Sequence, residues 1–271
     1  MISAFLPWLG LAVPVLFAVA VWRRSVNAVL ACGLSATLWM GTFGDQFLPP
    51  DRQPADLVVV QHNFSDENRD PGGTVARLME VQPGLVGLEE ITEGVSVPLP
   101  HRVVFGTVGL WSRWPIERAE PVDIKPRGLE ADWRRGLRAE VNGVIVYVVH
   151  LPSVRMRLSG FDTRWRDDSA AQLGAWLRQE RKPVVLIGDL NGAADDPGLQ
   201  PITRTMTTAR STPAFSFPAR MPIARIDHVM ANGGKVTAVW ALGRTGSDHL
   251  PVAARVRVGR GPGSGAPGSG R

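Results

Sequence analysis

Residues 2–22 carry no charge, and at 1.5 Å per helical residue such a run crosses a hydrocarbon core of about 30 Å. Arg23 and Arg24 close it. A second uncharged run covers residues 26–44 and stops at Asp45, so the pair reads as a transmembrane helical hairpin turning at Arg23-Arg24-Ser25. Pro7 and Pro14 interrupt the first arm, which lipid tolerates because neighbouring groups re-satisfy the freed carbonyls.

Beyond residue 56 the pattern changes to short β-branched runs alternating with helical stretches. Residues 57–60, 85–88, 102–105, 109–112 and 121–124 read as strands. Asp70-Pro71 starts a helix whose apolar positions Val75, Leu78 and Met79 follow a helical period. Residues 137–141 and 144–149 flank Asn142-Gly143, a strong hairpin turn signal. A helix over 163–180 presents Ala171, Leu173, Trp176 and Leu177, and strands follow at 184–187, 226–230, 236–240 and 252–256. Mixed strands with interspersed helices predict an α/β fold of two packed sheets with helices outside.

Composition refines this picture. The chain has 271 residues, 44% hydrophobic and 20% charged, which excludes both a disordered polar chain and a protein wholly in lipid. Its one cysteine, Cys32, excludes an internal disulfide framework and a cysteine zinc site. The formal charge is +5, but residues 1–52 hold +1 of it and residues 258–271 hold +2, leaving +2 on the middle. That balance is weak support for a nucleic-acid face.

Organisation follows from the same reading: a hairpin at 1–48, a proline-rich linker at 49–55, a folded domain at 56–258 and a Gly/Pro/Ser tail at 259–271 expected to be disordered. Cationic loops stay cytoplasmic, so Arg23 and Arg24 place the folded domain outside the cytoplasm, at the cell membrane. A cleaved signal peptide is the competing reading, against which no basic stretch precedes Ile2 and no small-residue cleavage site precedes Pro49. Of nine tryptophans, Trp8, Trp22 and Trp39 fit interfacial anchors. Trp133 with Arg134 and Arg135 is an aromatic–basic cluster in the middle region able to touch a polyanion, with a solvated strand edge as the preferred reading.

Polar clusters end the apolar runs: Gln61-His62-Asn63, Glu89-Glu90, His150, Gly188-Asp189-Leu190-Asn191, Arg225-Ile226-Asp227-His228 and Ser247-Asp248-His249. Each alone is compatible with a capped strand end. In this order and spacing they resemble the endonuclease/exonuclease/phosphatase superfamily of DNase I-like fold, over roughly residues 56–258. The resemblance implies a four-layer α/β sandwich and a phosphoester hydrolase. It implies that Asn63 and Glu90 bind metal and phosphate, and that His150 donates to a phosphate oxygen. Asp189 and Asn191 would position the attacking water and a phosphate oxygen, with Asp189 also near the metal. Asp248 would be a metal-side carboxylate, His249 the general base and Asp227 its orienting partner.

The chemistry of phosphoesters suits these groups. Charge grows on the phosphate oxygens as water attacks, and hard cations held by carboxylates neutralise it. Mg²⁺ is the expected cofactor, with Mn²⁺ as the alternative. The substrate stays open between DNA or RNA, a phospholipid and a small phosphoester. A catalytically silent membrane-anchored scaffold is the alternative from another class, and the complete set Glu90, Asp189, Asp248 and His249 argues against it.

Some positions depart from the family pattern. Glu89 stands where the family has Gln; it binds metal, raises a neighbour's pKa or points outward, and outward is the preferred reading. His62 and His228 replace aromatics and read as supporting histidines, and His101 reads as a loop residue. Residues 108–115 resemble an internal family strand to which only packing is assigned, with an approach of Arg113 to substrate left open.

Overall fold

The structure is a computed structural model describing residues 2–48, 55–157, 160–210 and 212–259. Most of the expected linker and tail therefore lies outside the described residues. The first apolar run forms a 3₁₀ stretch, Ile2–Leu11, continuing into α1 (Ala12–Trp22); the second forms α2 (Val26–Phe43) and a 3₁₀ turn, Gly44–Phe47. Ser25 caps α2 by accepting from Ala28 N, which ends the turn after Arg24 takes a positive φ of 55°. Spans Ser3–Trp22 and Val26–Phe47 are long and apolar enough to cross a membrane.

Two mixed sheets form the rest. The first runs β12 (Gly234–Ala241), β13 (Val252–Val258), β1 (Leu57–Asn63), β2 (Leu85–Glu89), β4 (Val108–Ser112) and β3 (His101–Phe105). The second runs β11 (Asp227–Asn232), β10 (Val184–Asp189), β7 (Val144–His150), β6 (Gly136–Val141) and β5 (Ile116–Pro121). Only β1–β2 and β7–β10 are parallel. A small hairpin, β8 (Arg155–Arg157) with β9 (Gly160–Asp162), follows β7.

Strand alternation builds the layers. Val59, Leu85, Val146, Val148, Val185 and Ile187 meet between the sheets. The opposite positions Val60, Val86 and Leu88 pack with Leu78 of α3 (Pro71–Met79), and Ile145, Tyr147 and Leu186 with Leu173 and Leu177 of α4 (Arg164–Leu177). This is the expected four-layer α/β sandwich, preceded by two apolar helices. Strands buried on both faces read as continuous β-branched runs, which is why β7 and β10 were detectable. Asp70 caps α3 by accepting from Gly73 N, as Asp70-Pro71 predicts.

Several expectations need correction. The strand expected at 121–124 lies instead at Ile116–Pro121, a charged edge strand, while Val122 and Ile124 are buried outside any strand. His101 opens β3 rather than lying in a loop. The β8–β9 hairpin carries no periodic signal.

The fold gathers the polar strand ends. Parallel register sets Asn63 against Glu89 and Asp189 against His150, and antiparallel register sets Asp189 against Asp227. Arg113 follows Ser112, which pairs with Leu85 at the far end of β2, and it donates to Gln82 O. It lies away from the site, which leaves this stretch its packing role.

Candidate active site

Asp189 Oδ2 is the focus of the gathered groups. Asn63 Nδ2 donates to it at 3.2 Å, His150 Nε2 lies 3.8 Å away and His249 Nε2 3.9 Å. The last two separations are too long for direct hydrogen bonds, and His150 Nε2 is buried with no protein partner. Asp189 Oδ1 accepts from Asn191 N at 2.9 Å; Asn191 holds φ at 50° and donates its side-chain amide to Leu151 O. A non-glycine residue at such a φ is strained and tends to sit at functional sites. Glu90 shares this feature, with φ 51°.

His249 Nδ1 and Asp227 Oδ2 are 2.8 Å apart, both buried. Burial lowers the His249 pKa, but the charge and hydrogen bond of Asp227, then Asp189, outweigh it and lift the group to about 10. Burial, then the neighbouring Asp227 charge, pushes Asp189 up to about 7. Asp227 stays below the usual carboxylate range because, although burial raises it, its histidine and Gln61 partners hold the charged form. Ser247 shapes the approach, donating to Asn63 O and accepting from His249 N.

Glu90 is partly exposed, 3.7 Å from His150 Nε2, and its carboxyl is raised by burial against the opposing Asn63 hydrogen bond and Arg135 charge. Asp248 is exposed at the rim, outside the buried group, with its carbonyl accepting from Ala219 N. Ligand atoms of Asp189, Asp227 and His249 all lie within 4.8 Å of one another. Among these, Asp227 is engaged by His249 and Gln61, which leaves Asp189 and Glu90 as the carboxylates beside it, while Asn63 turns its amide nitrogen to Asp189 and its Oδ1 accepts from Ser65 N. Asp189 is raised by burial first and the Asp227 charge second, and a hard divalent cation would favour its ionised form, so the carboxylates of Asp189 and Glu90 fit such an ion.

Glu89 does not point outward. It is fully buried, and Gln61 Nε2 donates to both Glu89 Oε2 at 2.9 Å and Asp227 Oδ1 at 2.8 Å. Burial first, with the Asp227 and Asp189 charges nearby, raises its pKa well above the usual carboxylate value, which favours the protonated acid. His62 and His228 are buried, supporting histidines: burial lowers them to about 3 and about 4, and His228 Nε2 meets Gly192 O at 2.8 Å.

Sequence reasoning missed Arg135. Its backbone carbonyl accepts from His150 N, its Nη1 lies 3.1 Å from His150 Nδ1, and the charges of Glu90 and Asp189 oppose the lowering of its pKa by burial. The guanidinium also stacks 4.4 Å over Trp133. The Trp133–Arg135 cluster was the available signal.

Comparisons with known proteins agree with this architecture. The model of the Endonuclease/Exonuclease/phosphatase family matches residues 41–249. The uncharacterized protein YbhP of Escherichia coli (strain K12) is 29% identical over 163 residues, which is 54% of this chain and 61% of that protein, so the match spans under two thirds of that relative. Among solved structures, the mannosyl-6-phosphatase Bt3783 of Bacteroides thetaiotaomicron superposes with a TM-score of 0.60 at 14% identity, covering 74% of this chain and 99% of that one. An AP endonuclease from Archaeoglobus fulgidus gives 0.58 at 17% identity, covering 73% and 98%. These two likenesses speak to the fold. The family match takes in every one of the gathered strand ends from Asn63 to His249, and the chain belongs to the endonuclease/exonuclease/phosphatase family.

Proposed function

We propose that the chain is a membrane-tethered, extracytoplasmic phosphoester hydrolase dependent on a divalent cation, Mg²⁺ first and Mn²⁺ second. Residues 1–48 form the anchor and residues 56–258 the catalytic domain. The observation that carries this reading is the convergence of Asn63, His150 and His249 on Asp189 Oδ2 within 3.2 to 3.9 Å.

Glu90, Asn63 and Asp189 would hold the cation, with Asp248 at the rim; when bound, it neutralises phosphate charge and acidifies its water. Asp227 accepts from His249 Nδ1–H, which directs Nε2 toward the Asp189 side to take a proton from water. Asp227 first and Asp189 second hold a proton on His249, and compensating the Asp189 charge removes the smaller of these two effects, in the direction a base needs. His150 donates from Nε2 to a phosphate oxygen as charge grows there. Asn191, strained and tied to Asp189 Oδ1 through its backbone, fixes the carboxylate that aims the water.

A silent scaffold would have no use for a buried, unpartnered His150 donor beside a raised Asp189, a combination that marks reacting sites. The test is turnover of bis(p-nitrophenyl) phosphate and p-nitrophenyl phosphate by the full chain in detergent. Activity lost on chelation and restored by Mg²⁺ or Mn²⁺ supports the reading; no turnover of either ester under any metal condition contradicts it.

A further inference from the structure

We propose that the substrate is a phosphoester carried by a bilayer lipid, taken from the leaflet where the helical hairpin ends. This rests on the hydrolase reading above and adds the substrate class to it.

Residues 213–226 form one wall of the site and carry two sets of contacts. One set meets the hairpin. Trp8 Nε1 donates to Ile223 O at 2.7 Å, the Trp8 ring stacks on Phe215 with centroids 5.3 Å apart, and Ala4 is buried against Ala224 and Ile226. The other set meets the catalytic end. The Phe217 ring lies 4.8 Å from the His249 ring, Ala219 N donates to Asp248 O, and Leu250 N donates to Ser216 O. Phe215 and Phe217 are two residues apart, at most about 7 Å along the chain, so His249 lies on the order of 15 Å from Trp8.

Trp8 and Ala4 belong to the apolar span Ser3–Trp22. With that span across the bilayer and Arg23-Arg24 on the cytoplasmic side, Ala4 sits at the outer boundary of the hydrocarbon core and Trp8, five residues into the span, on the order of 8–10 Å inside it. Headgroups extend that boundary by roughly 5–8 Å, so lipid phosphates lie at the level of the wall that touches His249. The same wall exposes Met221 (65% accessible) next to the exposed Arg220, an apolar and cationic pair suited to an anionic lipid surface. A nucleic-acid substrate finds less here. Duplex binding rests on many phosphate contacts from Lys and Arg, whereas residues 53–257 carry a net charge of only +2.

The reaction is hydrolysis. The water oxygen bonds to phosphorus, the P–O bond to the lipid or headgroup alcohol breaks, and the proton received by His249 passes to the leaving oxygen.

The experiment uses the full chain in phosphatidylcholine vesicles containing phosphatidylglycerol or phosphatidic acid, with Mg²⁺. Supercoiled plasmid and bis(p-nitrophenyl) phosphate serve as the other probes. The proposal expects turnover of a long-chain lipid at least about tenfold faster than plasmid cleavage, and faster than its water-soluble dihexanoyl analogue. Trp8→Ala should lower the lipid rate at least about fivefold and leave the aryl ester rate unchanged. The comparison of chain lengths needs no variant and stands if Trp8→Ala fails to fold. Faster plasmid cleavage, equal loss on both esters in Trp8→Ala, or aryl turnover without lipid turnover overturns the lipid assignment alone. Absence of turnover of lipid, plasmid and aryl ester alike overturns the hydrolase reading and this proposal with it.

Discussion

Arg135 Nη1 lies 3.1 Å from His150 Nδ1, and this contact decides which nitrogen of His150 carries the proton. A guanidinium only donates, so Nδ1 accepts and the proton resides on Nε2, the atom facing Glu90 and Asp189. Burial first, and the Arg135 charge second, lower the His150 pKa to about 3, so the ring is a neutral, pre-aimed donor at pH 7.

Replacing Arg135 with Met removes that lock. The expected loss in kcat/KM is at least about tenfold, near 1.4 kcal/mol of transition-state stabilisation, with partial rescue by Lys. Nitrogen NMR of the His150 ring checks the cause: the wild type shows the Nε2–H tautomer and Arg135→Met a mixture. An unchanged tautomer in the variant contradicts the assigned role.

Glu89 and Glu90 are adjacent and should behave oppositely. Glu89 is buried, its raised pKa favours the uncharged acid and Gln61 donates to it, so Glu89→Gln keeps its shape and should hold activity within about threefold. Glu90→Gln removes a carboxylate on the open side and should cost about 10²-fold or more. Equal losses in both variants contradict this distinction. Gln61→Ala strands Glu89 and Asp227 together and should destabilise the fold by about 1–3 kcal/mol, read as a lower Tm.

Stability of the metal-free protein should fall as pH rises from 6.5 to 10. His249 titrates near 6.5 when unfolded and near 10 when folded, so its contribution is complete below 6.5 and lost as pH climbs through 10. Asp189 and Glu89, both raised, act with the same sign but from a lower pH: the Asp189 contribution is lost between its unfolded value of 3.8 and about 7, ending where the His249 decline begins. Below pH 6.5 the lowered His62, His150 and His228 act oppositely, since protonating them favours unfolding. Thermal melts with chelator should peak near neutrality, and Mg²⁺ should flatten the alkaline decline. A chelated Tm that rises from pH 6.5 to 10 contradicts the arrangement.

Reporter fusions test the topology. A fusion after Arg24 should report the cytoplasm and one after Gln53 the opposite side; a cytoplasmic signal from both overturns the orientation.

Much of the site was legible because its residues end β-branched runs, and runs such as 184–187 and 144–149 are detectable wherever a strand is buried on both faces. The same burial hid the direction of Glu89. A central strand has no solvent face, so alternation that would send Glu89 outward at an edge sends it into the Gln61–Asp227 network. Arg135 was hidden by register: only the pairing of Gly136 with Val149 brings it beside His150. Strand β5 escaped because Glu117, Arg118 and Glu120 fill it with charge, as edge strands require. The direction of β4 likewise sets Arg113 at the wrong end of the sheet.

The central claim is that groups converging on Asp189 hydrolyse a phosphoester. The most direct measurement is kcat/KM for bis(p-nitrophenyl) phosphate with Mg²⁺, comparing wild type with Asp189→Ala and His249→Ala, each verified as folded by its melting transition. The account predicts a loss of about 10²-fold or more in both variants. Folded variants that retain turnover within about tenfold of wild type contradict it.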